Sequence, residues 1–148
     1  MSTGYKNDKF EKKVNLGVGA YRDNNGLPHV FPVVRKAEAR IVSDLSLNKE
    51  YSPIDGDQVF NRGARGVLFG FDHPDVDSGR VVTATTLSGT GALRIVGEFL
   101  QKFRRAPLYI SDPTWGNHPK VFDVCGLAVH KYRYFKPETK GLDIEGMI

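Results

Sequence analysis

Ser88-Gly89-Thr90-Gly91-Ala92-Leu93-Arg94 sets two glycines and two hydroxyls between a β-branched stretch and one with helical periodicity. Glycines there let the backbone turn tightly and approach a ligand closely. A helix opening at that point aims free N–H groups and the positive end of its dipole at the turn, which suits a phosphate. Ser88 and Thr90 can add hydroxyl donors. Arg94 stands where the third glycine of a G-x-G-x-x-G dinucleotide fingerprint belongs, and no G-x-x-x-x-G-K-[ST] loop is present. Read alone, the two glycines are also compatible with an ordinary turn.

A second constellation, Asp112-Pro113-Thr114-Trp115-Gly116-Asn117-His118, falls where a strand gives way to a helix. Open α/β sheets bind ligands at that edge. Trp115, the single tryptophan, can stack on a flat ring. His118 can orient a carboxylate. The alternatives are a tryptophan plugging the sheet's end and a half-buried histidine with its hydrogen bonds satisfied. Val14-Asn15-Leu16-Gly17-Val18-Gly19-Ala20-Tyr21-Arg22 can bring backbone N–H groups to a carboxylate, or can simply turn. Tyr51, in Asn48-Lys49-Glu50-Tyr51-Ser52-Pro53, is a loop tyrosine whose role its neighbours do not define.

These residues need elements to position them. Residues 1–13 are polar and read as a mobile arm. Residues 14–31 read as an irregular extended segment, with a tight turn at Asn25-Gly26. Pro32 suits the first turn of a helix near 32–45, carrying Val33, Val34, Ala37, Ile41 and Leu45 at helical spacing. Asp57 is the expected cap of a second helix over 57–69, with Phe60, Ala64, Val67 and Leu68 on its apolar face. Gly63 and Gly66 weaken that helix by roughly 1 kcal/mol each relative to alanine. From Arg80 the elements alternate. A strand is expected at 80–87, a helix at 89–105, a strand at 107–111, a helix at 117–125 closed by Gly126, and a strand at 128–135. That order argues for a mainly parallel α/β sheet.

Composition is ordinary for a globular chain, with 40% apolar and 26% charged residues in 148. The net charge of +4 comes from 21 basic residues scattered among 17 acidic ones, so no basic stripe for nucleic acid forms. No apolar run approaches the ~20 residues a membrane-spanning helix needs. The first twenty residues lack the apolar core of a secretory signal, and the reading favours the cytoplasm. The single cysteine, Cys125, is expected to be buried and inert. No metal site is expected. Leu142-Asp143-Ile144-Glu145-Gly146-Met147-Ile148 looks like a cap followed by the first residues of a new element, so the sequence reads as cut.

Taken together, the stretches Val14–Arg22, Pro32–Arg40, Glu50–Gly56, Ser88–Arg94, Asp112–His118 and Gly141–Asp143 resemble the aspartate aminotransferase family, in its order and spacing. The resemblance runs from about Lys13 to Ile148. It implies the fold type I of pyridoxal-phosphate-dependent transferases, a mainly parallel sheet with flanking helices, present here as its N-terminal part. Residues 14–31 would then open the small domain, and 32–148 would form the first part of the large cofactor-binding domain.

The resemblance also implies roles. Ser88, Gly89 and Thr90 hold the phosphate of pyridoxal 5'-phosphate, and Trp115 stacks on its ring. His118 braces an aspartate that pairs with the ring nitrogen. Gly19, with Trp115, meets the substrate. Tyr51 reaches the phosphate in the partner subunit's site, because the family forms homodimers with shared active sites. The implied reaction is reversible amino-group transfer between L-aspartate and 2-oxoglutarate. The family's Schiff-base lysine is absent from these 148 residues, so the chain alone is expected to be inactive. An aromatic-amino-acid aminotransferase of the same family is the alternative. A non-catalytic, phosphate-binding or dimer-interfering relative is a further one. The segment Asn61-Arg62-Gly63-Ala64-Arg65-Gly66 departs from the family, being richer in glycine than its helix.

Overall fold

The computed structural model describes residues 2–148. Two compact units divide at Tyr51 and Ser52. In the first, helix α1 (Ser2–Asn7) is followed by a turn in which the Lys13 ammonium donates to the carbonyls of Tyr5 and Asp8, at 2.7 and 2.6 Å. Residues 14–31 are irregular, as their glycines and lack of periodicity imply. Their one ladder contact is an antiparallel bridge between Arg22 and Pro28, closed around Gly26 at φ 74°. Beside it Tyr21 and Phe31 each meet His29 edge to face, and their own rings are tilted at 42° to one another.

Helix α2 (Pro32–Ser43) begins at proline, where the missing N–H costs nothing. It ends two residues before the expected boundary, because Asp44 folds back to accept from the Ser46 hydroxyl and backbone N–H. Those two bonds hold the Asp44 carboxyl below its ordinary range. The folded-state shift is downward, so this turn is supported at neutral pH and loosens as acid protonates Asp44.

The second unit opens with helix α3 (Gln58–Phe69). The Asp57 carboxylate accepts from the Phe60 N–H at 2.7 Å, the cap the sequence called for. The buried side differs from the expected one. Phe60, Val67 and Leu68 are exposed, while Asn61 and Gly66 are buried. The reason is close approach: a Cβ at Gly66 would lie 2.3 Å from the Phe71 ring. After the short helix α4 (Pro74–Asp77), residues 81–86 form no strand. A strand is defined by its ladder, and among the described residues none pairs with this segment.

Helix α5 (Ser88–Phe103) then crosses to strand β1 (Leu108–Asp112), helix α6 (Asn117–Val124) and strand β2 (Val129–Arg133). The two strands are parallel, Leu108 opposite Val129 and Asp112 opposite Arg133. Their helical crossover is what parallel pairing requires. Gly126, at φ 78°, ends the turn after α6. The expected strand at 128–135 is broken at Tyr134. Beyond it β3 (Phe135–Lys136) pairs antiparallel with β4 (Gly141–Leu142), before a last turn, α7 (Ile144–Met147), capped by Asp143.

The core of this unit is Phe122, Cys125 and Leu127, with Leu93, Leu100, Leu108 and Val129 packed against it. Only part of the expected apolar face of α5 takes part: Leu93 and Leu100 face the core, while Val96, Phe99 and Phe103 remain exposed. Gly97 is why α5 and α6 come so close. A Cβ there would meet the Cys125 sulfur at 2.6 Å and the Phe122 ring at 3.2 Å. Cys125 is buried, as expected, with its Sγ 3.2 Å from the Val121 carbonyl. Gly97→Val is therefore expected to destabilise the full-length protein by about 1–3 kcal/mol through overpacking. Urea unfolding measures this, and an unchanged midpoint would mean the helices are not in that contact.

Candidate functional site

The first turn of α5 forms the centre of the candidate site. Ser88 adopts φ 58°, a left-handed conformation that turns the segment 81–87 sharply into the helix. Its N–H donates to the Thr86 carbonyl at 2.9 Å, and the Thr86 hydroxyl donates to the Ser88 carbonyl at 3.0 Å. After Ser88, the next helical residue whose N–H finds a partner is Gly91, which donates to the Leu87 carbonyl at 3.1 Å. The N–H groups of Gly89 and Thr90 meet no acceptor among the described residues. That is the ordinary condition of a helix start, and it makes an anion site.

Space and charge agree with the free donors. A Cβ built at Gly89 would meet nothing within 4 Å, while one at Gly91 would press on Leu87 Cβ at 3.1 Å. The opening is therefore at Gly89, and Gly91 packs the turn beneath it. Ser88, Gly89 and Thr90 are all exposed. A phosphate fits this place: two backbone donors and up to two hydroxyls, with no side chain in the way.

The second constellation lies at the carboxyl end of β1. The Thr114 hydroxyl and His118 Nδ1 are 2.7 Å apart, fixing the imidazole from the loop side. The His118 N–H donates to the Trp115 carbonyl at 3.0 Å. The two rings meet edge to face, with centroids 5.3 Å apart. Trp115 is 49% exposed, so its flat ring has room for a partner, while His118 is half-buried. Thr114 and His118 line an open cavity of about 300 Å³ with Leu93 of α5, Ser111 of β1 and Phe122 of α6. The second turn of α5, through Leu93, and the end of β1 thus border a common depression in the second unit, which Ser88, Gly89, Thr90 and Trp115 do not line. Sequence reasoning left Thr114 without a role, although its i,i+4 spacing to His118 was the available signal.

Gly19 and Tyr51 belong to the first unit. Asn15 Oδ1 accepts from the Gly17 N–H at 2.9 Å, and the Ala20 N–H bonds the Val18 carbonyl at 2.9 Å. Between them the Gly19 N–H has no acceptor among the described residues, and a Cβ at Gly19 would meet open space. Tyr51 is 96% exposed, its backbone N–H held by the Glu50 carboxylate. Among the described residues no cluster of three His, Cys, Asp or Glu side chains could hold a metal ion. No described helix is long and apolar enough to cross a membrane.

Known proteins carry the same pattern. The family model for aminotransferase class I and II matches residues 11–148. A cytoplasmic aspartate aminotransferase of Oryza sativa subsp. japonica is 48% identical over the whole chain, which spans 37% of that relative's length. The solved structure of the aspartate aminotransferase from Saccharomyces cerevisiae cytoplasm superposes at a TM-score of 0.88 with 42% identity, over 98% of this chain and 35% of that one. An aromatic-amino-acid aminotransferase from Burkholderia pseudomallei, covalently bound to pyridoxal phosphate, superposes at 0.87 with 39% identity, over 99% of this chain and 37% of that one. This chain accordingly has the α/β fold of those enzymes over about a third of their length and belongs to the aminotransferase class I and II family.

Proposed function

We propose that the protein to which these residues belong is a pyridoxal-phosphate-dependent aspartate aminotransferase, moving an amino group reversibly between L-aspartate and 2-oxoglutarate. The observation that carries the proposal is the first turn of α5, where the Gly89 and Thr90 N–H groups have no acceptor among the described residues, a Cβ at Gly89 would meet nothing within 4 Å, and Ser88 and Thr90 carry hydroxyls. The names of the rice and yeast relatives support the dicarboxylic substrate pair.

Each residue then has a task that its surroundings permit. Gly89, Thr90 and Ser88 bind the cofactor phosphate, a charge-assisted set in which each good bond contributes roughly 1.5–3 kcal/mol. The Trp115 ring stacks on the pyridine face. Thr114 keeps the His118 imidazole in one orientation, so that His118 can brace the carboxylate pairing with the ring nitrogen. The Gly19 N–H donates to the substrate α-carboxylate. Tyr51, projecting into solvent, donates its hydroxyl to the phosphate in the partner subunit's site of a homodimer. Pyridoxal phosphate, when bound, supplies the electron sink that makes proton movement at an amino acid's α-carbon feasible.

A second reading, preference for aromatic amino acids, is favoured by the likeness to solved aromatic-amino-acid aminotransferases, that of Burkholderia pseudomallei among them. The two separate by assay of the full-length protein. Aspartate with 2-oxoglutarate is expected to be the faster pair, and a higher kcat/KM with phenylalanine or tyrosine would transfer the proposal to the aromatic class. We place the protein in the cytoplasm, and fractionation that recovers it with mitochondria would overturn that placement.

Two substitutions test the assigned roles. Gly89 lies outside the left-handed region and faces open space, so Gly89→Leu is expected to fold normally. It should weaken pyridoxal phosphate binding about tenfold or more by occupying the anion's place. A titration followed by absorbance reads this, and unimpaired binding would remove Gly89 from the cradle. Tyr51→Phe is expected to leave sedimentation at twice the subunit mass while weakening the cofactor about tenfold, the loss of one hydrogen bond to a charged group. A monomer in the unsubstituted protein would contradict the shared site.

A further inference from the structure

The glycine-rich segment Asn61–Gly66 holds the one fully buried polar side chain among the described residues, Asn61, with 0% exposure. A buried amide is costly unless its donor and acceptor are both used. Both are used. Asn61 Nδ2 donates to the Asp55 carbonyl at 2.9 Å, and Asn61 Oδ1 accepts from the Thr85 hydroxyl at 3.1 Å. The Thr85 N–H donates to the same Asp55 carbonyl at 2.9 Å. Asp55, Asn61 and Thr85 therefore form a closed ring of three bonds, joining residues thirty positions apart.

The ring is tightly built. Gly56, at φ 90°, passes over Thr85 so closely that a Cβ would fall 2.1 Å from the Thr85 hydroxyl. Thr85 sits three residues before Ser88, in the segment 81–86 that leads into α5. These bonds tie the segment to α3 and to the loop that precedes it. Thr86 continues the restraint by bonding Ser88 in both directions, through its hydroxyl and its carbonyl. The chain is held at Thr85, held again at Thr86, and turns at Ser88 to present the free N–H groups of Gly89 and Thr90.

We propose that Asn61 is a positioning residue for the phosphate cradle, acting through Thr85. It never touches the anion. It sets where the backbone enters α5, and so where the two free donors point. The inference rests on the reading of Gly89 and Thr90 as phosphate ligands. An apolar residue at position 61 would leave the Thr85 hydroxyl without the Asn61 acceptor and the Asp55 carbonyl with only the Thr85 N–H.

The test is ligand discrimination in the full-length protein. Pyridoxal phosphate and pyridoxal, which lacks the phosphate, are titrated against the wild type, Asn61→Leu, Thr85→Val and Thr85→Ser. Asn61→Leu and Thr85→Val are expected to weaken pyridoxal phosphate roughly tenfold while leaving pyridoxal unchanged, and Thr85→Ser, which keeps the hydroxyl, to bind as the wild type. The phosphorus NMR line of the bound phosphate should sharpen in the two weakened variants as the group gains mobility. If Asn61→Leu fails to fold, Thr85→Val, nearly isosteric, decides the matter. Equal loss of both ligands, or no loss of either, would overturn the positioning role while leaving the cradle intact. A wild type that binds no pyridoxal phosphate would overturn the parent reading, and this inference with it.

Discussion

A helix cannot satisfy its own first N–H groups, and in this chain that constraint falls where two residues are smallest or carry hydroxyls. At the start of α5 the Gly89 and Thr90 donors are left free by geometry and left accessible by the missing side chain at Gly89. Everything around them serves to put that helix end in place. Ser88 takes a left-handed turn, Gly91 lets Leu87 pack beneath the turn, and Gly97 lets α6 lie close against the far side of the helix. The energy at stake is modest for each contact, about 0.3–1 kcal/mol from the dipole and 1.5–3 kcal/mol per charged bond. In the proposed reading, two donors without acceptors beside the open space at Gly89 make the helix end an anion site.

Sheet and loop complete the arrangement. β1 and β2 are short, but their parallel pairing fixes the end of β1, from which Thr114, Trp115 and His118 emerge. Thr114 holds the imidazole and leaves the indole half-exposed. In the proposed reading, phosphate recognition and ring recognition fall at two different helix starts, α5 and α6. Leu93, in the second turn of α5, lines the same cavity as Thr114 and His118.

What the sequence made legible is what depends on near neighbours. Asp57 as cap, Pro32 at a helix start, Gly126 at a helix end and the strand–helix–strand order from Leu108 all follow from residues within a turn or two of each other. The phosphate-suited turn at Ser88–Gly91 was legible for the same reason. Residues 80–87 were read as a strand because their composition is β-branched, yet pairing is a property of a partner as well as a segment. The inward side of α3 was misjudged because its packing is decided by Phe71 reaching Gly66 and by Thr85 reaching Asn61. No periodicity within the helix encodes contacts with residues twenty-four positions away. The likeness to a known family supplied the roles of Gly19 and Tyr51, which neither their spacing nor their surroundings would have assigned.

The account stands on where the anion goes, so the most direct measurement is a crystal structure of the full-length protein with pyridoxal phosphate. It should place the phosphate within hydrogen-bond distance of the Gly89 and Thr90 N–H groups, with the ring against Trp115. A phosphate bound elsewhere, or those two N–H groups left facing water with the cofactor present, would contradict it.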